Sequence, residues 1–264
     1  MDHPLARGLV GCWLMNENSG GIVNDYSGQG NTGTLSGFND PPIATSGWNA
    51  GPHGGALAFD GVNDYVNCGS GASLQMGEGI ITLSIWILTP VVWDTISYNE
   101  IFFGGATGGG TGYGIMLNRD IIGSIGYETH GDSGRRQLKY TGNVLTLGKW
   151  QLVTAIFNGI DNYMKLYVDG VKRHDVNIAN PGIVKNVNNF LIGIYLYRYE
   201  TSGIYQYKSL ISSVMIYNRA LSAEEIAYLY AFPYCMFDDA GWEAWMARTQ
   251  NRNFEHYYRR LMAA

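Results

Sequence analysis

Tyrosines at positions 195, 197 and 199, with Arg198 between the last two, place three phenol rings at every second position of one short stretch. On an extended strand that spacing puts all three on one face. Flat rings with polar tips suit stacking on sugars, and they suit subunit interfaces equally. Tyr205 and Tyr207 repeat the spacing after Thr201-Ser202-Gly203. Tyr195, Tyr197, Arg198 and Tyr199 are therefore the candidate ligand-binding residues, with an interface and ordinary half-buried packing as alternatives. Near the carboxyl end, Trp242, Trp245 and Met246 lie on one stripe of a helical period that continues to Tyr257. These four are the candidate partner-binding residues, able to dock into a partner's groove or to pack on the chain's own body.

The residue patterns that would support catalysis are missing or misplaced. Gly28-Gln29-Gly30-Asn31-Thr32-Gly33 spells GxGxxG, but no buried strand precedes it and no helix opens on it, as dinucleotide binding requires. Gly131-Asp132-Ser133-Gly134 with His130 spells part of a serine-protease signature. A triad needs its His and Asp delivered from distant segments, and a polar hairpin loop explains the stretch better. The five histidines occupy separate segments with no HxH or HExxH spacing, so no catalytic zinc is encoded. A sandwich-fold glycosidase needs paired carboxylates, commonly on one strand, and no Glu-x-Asp-x-x-Glu occurs. No catalytic residue is assigned, and the chain is expected not to be an enzyme.

The elements that must hold these residues are mostly strands. Ile80 to Leu88 is apolar on both faces, as in a central strand covered on both sides. From Tyr163 to Val168 the residues alternate, and Asp169-Gly170 then supplies a primed hairpin turn. Gln151 to Phe157 alternates likewise and pairs through the Asn158–Asn162 turn. Gly61-Val62-Asn63-Asp64 has the character of a second hairpin turn between Leu57–Asp60 and Tyr65–Cys68. About a dozen strands with no fixed repeat indicate an all-β, two-sheet antiparallel jelly-roll sandwich. Ser222-Ala223-Glu224-Glu225 is a capping box that opens a short helix. The expected organisation is a jelly-roll domain over 1–234 and a helical extension over 235–264.

Composition sets outer bounds. The 36 glycines among 264 residues are about twice the usual share and fit many tight turns. The 17 basic and 22 acidic residues give a net charge of −5, without the cationic footprint of a nucleic-acid binder. Four acids and four bases balance within 235–264, so the −5 lies on the β-rich body. Cys12, Cys68 and Cys235 form no CxxC pair and read as buried free thiols, although Cys12 and Cys68 lie in strands that a disulfide could join. No stretch has the length and apolarity of a membrane span, and no signal-peptide core follows Met1.

An ordered series of segments carries further information. Gly8–Trp13 leads to Asp25–Leu35, then to Ala58–Val66, Thr82–Ile87, Trp150–Val153 with Leu166–Gly170, and finally Met215–Ile226. Together these resemble the laminin-G-like, concanavalin A-like jelly-roll domains of extracellular binding modules and bacteriophage virion proteins. The resemblance implies a virion accessory or decoration protein, made in the host cytoplasm. Capsid or other virion proteins, a second copy of the chain and glycans would be its partners. The alternative is an extracellular carbohydrate-binding module of an exported bacterial protein. Many members of the family hold a calcium ion near the Asp25 loop. The matching residues are Asp25 and Asn31, with Ser212-Ser213 standing where an Asp is usual. The competing role for Asp25 and Asn31 is an Asx-turn that shapes the loop.

Overall fold

The apolar run from Ile80 to Leu88 forms a strand in the middle of one of two large sheets. The computed structural model describes residues 3–76, 79–90, 99–104, 112–117, 124–131, 134–140, 144–178, 189–196 and 204–237. In chain order the strands are β1 (Leu9–Trp13), β2 (Ile22–Val23), β3 (Gly33–Ser36), β4 (Gly47–Gly51), β5 (Gly54–Asp60) and β6 (Tyr65–Asn67). Then come β7 (Ile80–Leu88), β8 (Asn99–Gly104), β9 (Gly112–Leu117), β10 (Ile125–Gly131), β11 (Gly134–Tyr140) and β12 (Trp150–Asn158). The last are β13 (Tyr163–Val168), β14 (Val171–Asn177), β15 (Phe190–Ile192), β16 (Ile194–Leu196), β17 (Ile204–Gln206) and β18 (Lys208–Tyr217), followed by the helix α1 (Ala223–Ala231).

One sheet runs β14-β13-β12-β7-β18-β5-β4, with β1 paired to the second half of β18. The other runs β11-β10-β9-β8-β15-β6-β3-β2, and β16 and β17 form a separate ribbon. Adjacent strands are antiparallel throughout, which gives the two-sheet jelly roll expected from the sequence.

Alternation along each strand decides the layers. On β7, Ile81, Leu83, Ile85 and Ile87 enter the core between the sheets, where they meet Phe157, Val214 and Ile216. Trp86 points the other way, into a second cluster with Leu152, Ile156, Tyr167, Met215 and Tyr217. That outer face is covered by Leu5 and by Ile226, Tyr228 and Leu229 of α1. Each buried aliphatic or aromatic side chain of this kind is worth about 1.5–3 kcal/mol. Trp13 of β1 stacks on Phe190 of β15, ring centroids 5.5 Å apart, and joins the two sheets through the core.

Local chemistry fixes the connections. Asp169 and Gly170 both have positive φ, as the primed turn between β13 and β14 requires. The Asp169 carboxylate accepts from the Leu152 amide (2.9 Å) and from Gln151 Nε2 (2.8 Å), which ties that turn to β12. At α1 the Glu225 amide donates to Ser222 Oγ (3.2 Å), and the Ser222 amide donates to Glu225 (2.8 Å). Arg219 then grips both Glu225 oxygens (2.8 and 2.7 Å) and donates to the carbonyls of Arg7 and Pro4.

Three expectations need correction. Gly61–Asp64 does not close a hairpin: β5 and β6 belong to different sheets. Asp64 is buried there, its carboxylate accepting from the Asp60 amide (2.9 Å), and the turn passes the chain across the core. Tyr207 does not continue an outward row. It lies between β17 and β18, fully buried, and its hydroxyl donates to the Leu88 carbonyl (2.8 Å). The strands number eighteen among the described residues, more than the dozen expected. Gly193, at φ 91°, separates β15 from β16, and a Cβ there would fall 2.3 Å from the Phe59 ring.

Candidate functional site

Asp25 organises the loop between β2 and β3. Its Oδ1 accepts from the amides of Cys12 and Ser27, both at 2.9 Å, and its Oδ2 accepts from the Asn31 amide at 2.8 Å. Asn31 is buried and donates from Nδ2 to the Val10 carbonyl (3.0 Å) and to Ser73 Oγ (2.9 Å). Its carbonyl accepts from Trp13 Nε1 (2.8 Å). Gly28 and Gly30 both have positive φ, so the loop turns where side chains are disfavoured. At Gly71 a Cβ would stand 2.1 Å from Asn31 Oδ1, so the 70–75 segment closes tightly on the loop.

These ties open a surface cleft of about 710 Å³ between the Asp25 loop, the start of β1 and the Ala72–Leu74 turn. Its polar lining is Ser27, Gln29, Ser73, Gln75 and Asn218, and Met76, Ile80 and Ile160 add apolar surface. Among the described residues no charged side chain lines it. Amides and hydroxyls both donate and accept. The volume falls in the range of small-molecule sites. The arrangement is chemically suited to hydrogen-bonding a neutral ligand rich in hydroxyl groups, and it presents no nucleophile and base to one another.

Asp25 and Asn31 are thus brought together, as the sequence suggested, but by an amide-to-carboxylate hydrogen bond. Calcium takes six to eight oxygen ligands. Three N–H groups already occupy the Asp25 carboxylate, and the Asn31 amide nitrogen is spent on Val10 and Ser73. Among the described residues no three His, Cys, Asp or Glu side chains gather as a metal site. Ser212 and Ser213 are buried at the bulge in β18 and supply no charge. As hydrogen-bonded here, the pair shapes the loop.

The other residues singled out from the sequence fall elsewhere. Tyr195 lies on β16, in register with Tyr205 on β17. Tyr197, Arg198 and Tyr199 lie outside the described residues, as do Trp242, Trp245, Met246 and Tyr257. Cys235 and Met236 are buried in the outer cluster, so packing continues to the end of the described chain. All three cysteines are buried and unbridged. Burial pushes the Cys235 thiol up to about 12 and raises Cys12 further, with the Asp25 charge adding to Cys12, which leaves both as unreactive thiols. The GxGxxG glycines run from the Asp25 loop into β3, and Gly131 pairs with Gly134 in the β10-β11 hairpin. No helix among the described residues is long and apolar enough to cross a membrane. The sequence reading missed Ser73, Gln75 and Asn218 as cleft residues. Ser73 and Gln75 sit in one short turn and Asn218 more than a hundred positions later, so only the sheet order brings that turn to Asn218.

Residues 60–227 match the family model described as the concanavalin A-like lectin/glucanases superfamily. The chain belongs to that superfamily. No curated protein matches its sequence. Among solved structures this superfamily member is similar to the binding domain of Paraclostridial Mosquitocidal Protein 1, with a TM-score of 0.64 and 17% identity over 86% of this chain and 52% of that one. It is similar to the receptor binding domain of botulinum neurotoxin D, with a TM-score of 0.60 and 18% identity over 86% and 53%. The chain therefore spans about half the length of those toxin domains. It is also similar to domain 4 of AbnA, an extracellular arabinanase of Geobacillus stearothermophilus solved with arabinotriose. That match has a TM-score of 0.61 and 17% identity, and covers 84% of this chain and 98% of the arabinanase domain. At these identities the likeness establishes the shared jelly-roll fold.

Proposed function

We propose that the chain is a non-enzymatic carbohydrate-binding module of an exported bacterial protein, holding a neutral glycan in the cleft beside the Asp25 loop. The observation that carries this reading is the cleft lining: amide and hydroxyl side chains over apolar surface, with no charged side chain among the described residues. Membership of a lectin-containing superfamily supports it. So does the likeness, over nearly the whole of its length, to an arabinanase domain solved with arabinotriose. The virion reading rests on the sequence resemblance alone, and none of the three similar structures above is a virion component. The row Tyr195, Tyr197, Arg198 and Tyr199 is the competing contact for the same ligand class, and the Trp242, Trp245, Met246 and Tyr257 stripe is the proposed contact to a neighbouring protein.

A glycan array separates these options. Wild type should capture neutral oligosaccharides, Gln29→Ala should lose most of that signal, and Tyr197→Ala should keep it. The reverse pattern would move the site to the tyrosine row, and no capture by any of the three proteins would end the glycan reading.

A further inference from the structure

A second groove, of about 520 Å³, runs along β13 on the outer face of the sheet that contains β7, against the first turn of α1. Tyr163, Lys165 and Tyr167 alternate along β13 and so point to the same side. Lys172 of β14 stands in register with Tyr167, and Ser222 and Glu225 close the opposite wall. Unlike the cleft, this groove carries charged side chains, Lys165, Lys172 and Glu225, beside two phenols.

The charges in it are unevenly satisfied. Glu225 is held on both oxygens by Arg219, so its charge is neutralised within the wall. Lys172 pairs at the exposed edge with Asp175 (2.9 Å). Lys165 makes no ion pair among the described residues; its Nζ sits 4.0 Å above the Tyr163 ring. Tyr167 is only 5% exposed and lines the groove, yet its hydroxyl finds no hydrogen-bond partner among the described residues. The hydroxyl itself is not sealed in the core, so it opens onto the groove, where it can donate to a ligand. Burial raises the Tyr167 phenol, and the Asp175 and Glu224 charges add to the rise while Lys172 opposes it, so it stays a protonated donor. The first-turn amides of Ala223 and Glu224 have no acceptor within the helix, and a helix amino end favours negative charge. Glu224 is exposed and does not line the groove.

We propose that this groove binds the carboxylate of an acidic saccharide, with Lys165 supplying the charge, Tyr167 a hydrogen bond and the first turn of α1 the remaining donors. The choice of a saccharide rests on the carbohydrate-binding reading above; the preference for a carboxylate rests on the groove alone.

The test is calorimetric titration of the full chain, at low ionic strength, with trigalacturonate and with its fully methyl-esterified form, which differ in charge. Wild type should bind the acid at least about tenfold more tightly than the ester, as expected for charge-assisted contacts. Lys165→Gln should erase that preference. Tyr167→Phe, which keeps the ring in its packing, should weaken the acid about three- to tenfold with an unchanged melting temperature. Equal binding of acid and ester, no binding of the acid, or a full preference retained in Lys165→Gln would overturn the proposal. Gln29→Ala should leave acid binding intact. If the array shows no neutral capture while the acid still binds through Lys165, the neutral-cleft reading fails and this one stands.

Discussion

Asp25 contributes no surface to the cleft, yet its carboxylate accepts the three amides that set the loop carrying Ser27 and Gln29. Removing it leaves those amides short of an acceptor, at a cost of about 1–3 kcal/mol for each that stays buried. Asp25→Ala should therefore lower unfolding free energy by at least about 2 kcal/mol in urea titration and abolish neutral-glycan binding. Excess chelator should leave the melting temperature unchanged, since a bound ion would stabilise the folded state by mass action. A fall of several degrees would contradict the loop-shaping role. Glu225 gives a pH signature. Burial alone would raise its carboxyl, but the Arg219 and Ser222 hydrogen bonds and the Arg219 charge outweigh that and hold it below its ordinary value. A carboxyl lowered in the folded state stabilises that state above its unfolded value, and the gain is lost as pH falls through the folded value. The melting-temperature gap between wild type and Glu225→Gln should thus be full near neutrality and close below about pH 4. At this scale the sequence identified Ser222 with Glu225 as a cap, while Asp25 and Asn31 stood out only through the family resemblance, as candidate calcium ligands or an Asx-turn. It could not show that Arg219 joins the cap to the amino terminus, because that contact spans more than two hundred positions.

Among the elements, the hairpins and the helix were readable because their signals are local. Asp169-Gly170 demands positive φ, and a Ser three residues before a Glu satisfies first-turn amides. Ser222→Ala should cost about 1 kcal/mol in a denaturant titration. The sheet change at Gly61–Asp64 was not readable, since a turn of the same composition serves a hairpin equally well. What decides it is the burial of Asp64 and the pairing of Tyr65 with Ser36 in the other sheet, both long-range facts. Gly193 was equally silent in the sequence. It holds a left-handed backbone against Phe59, so Gly193→Ala should destabilise by more than about 2 kcal/mol through strain and overpacking, measured in the same titration.

Across the described residues, the two sheets bury one apolar layer between them and a second beneath α1. The chain carries a net charge of −5, but among the described residues no charged side chain lines the cleft beside the Asp25 loop, whereas Lys165, Lys172 and Glu225 line the groove beside α1. Ionic strength should separate them: added salt should leave neutral-glycan affinity in the cleft unchanged and weaken acid binding in the groove, because screening acts on exposed charges. The central claim is that a neutral glycan occupies the cleft. Its most direct test is amide chemical-shift mapping of the labelled chain titrated with a neutral oligosaccharide captured on the array. The largest shifts are expected at Ser27–Asn31, Ala72–Gln75 and Asn218. Shifts confined to the β16-β17 ribbon, or none at saturating oligosaccharide, would contradict it.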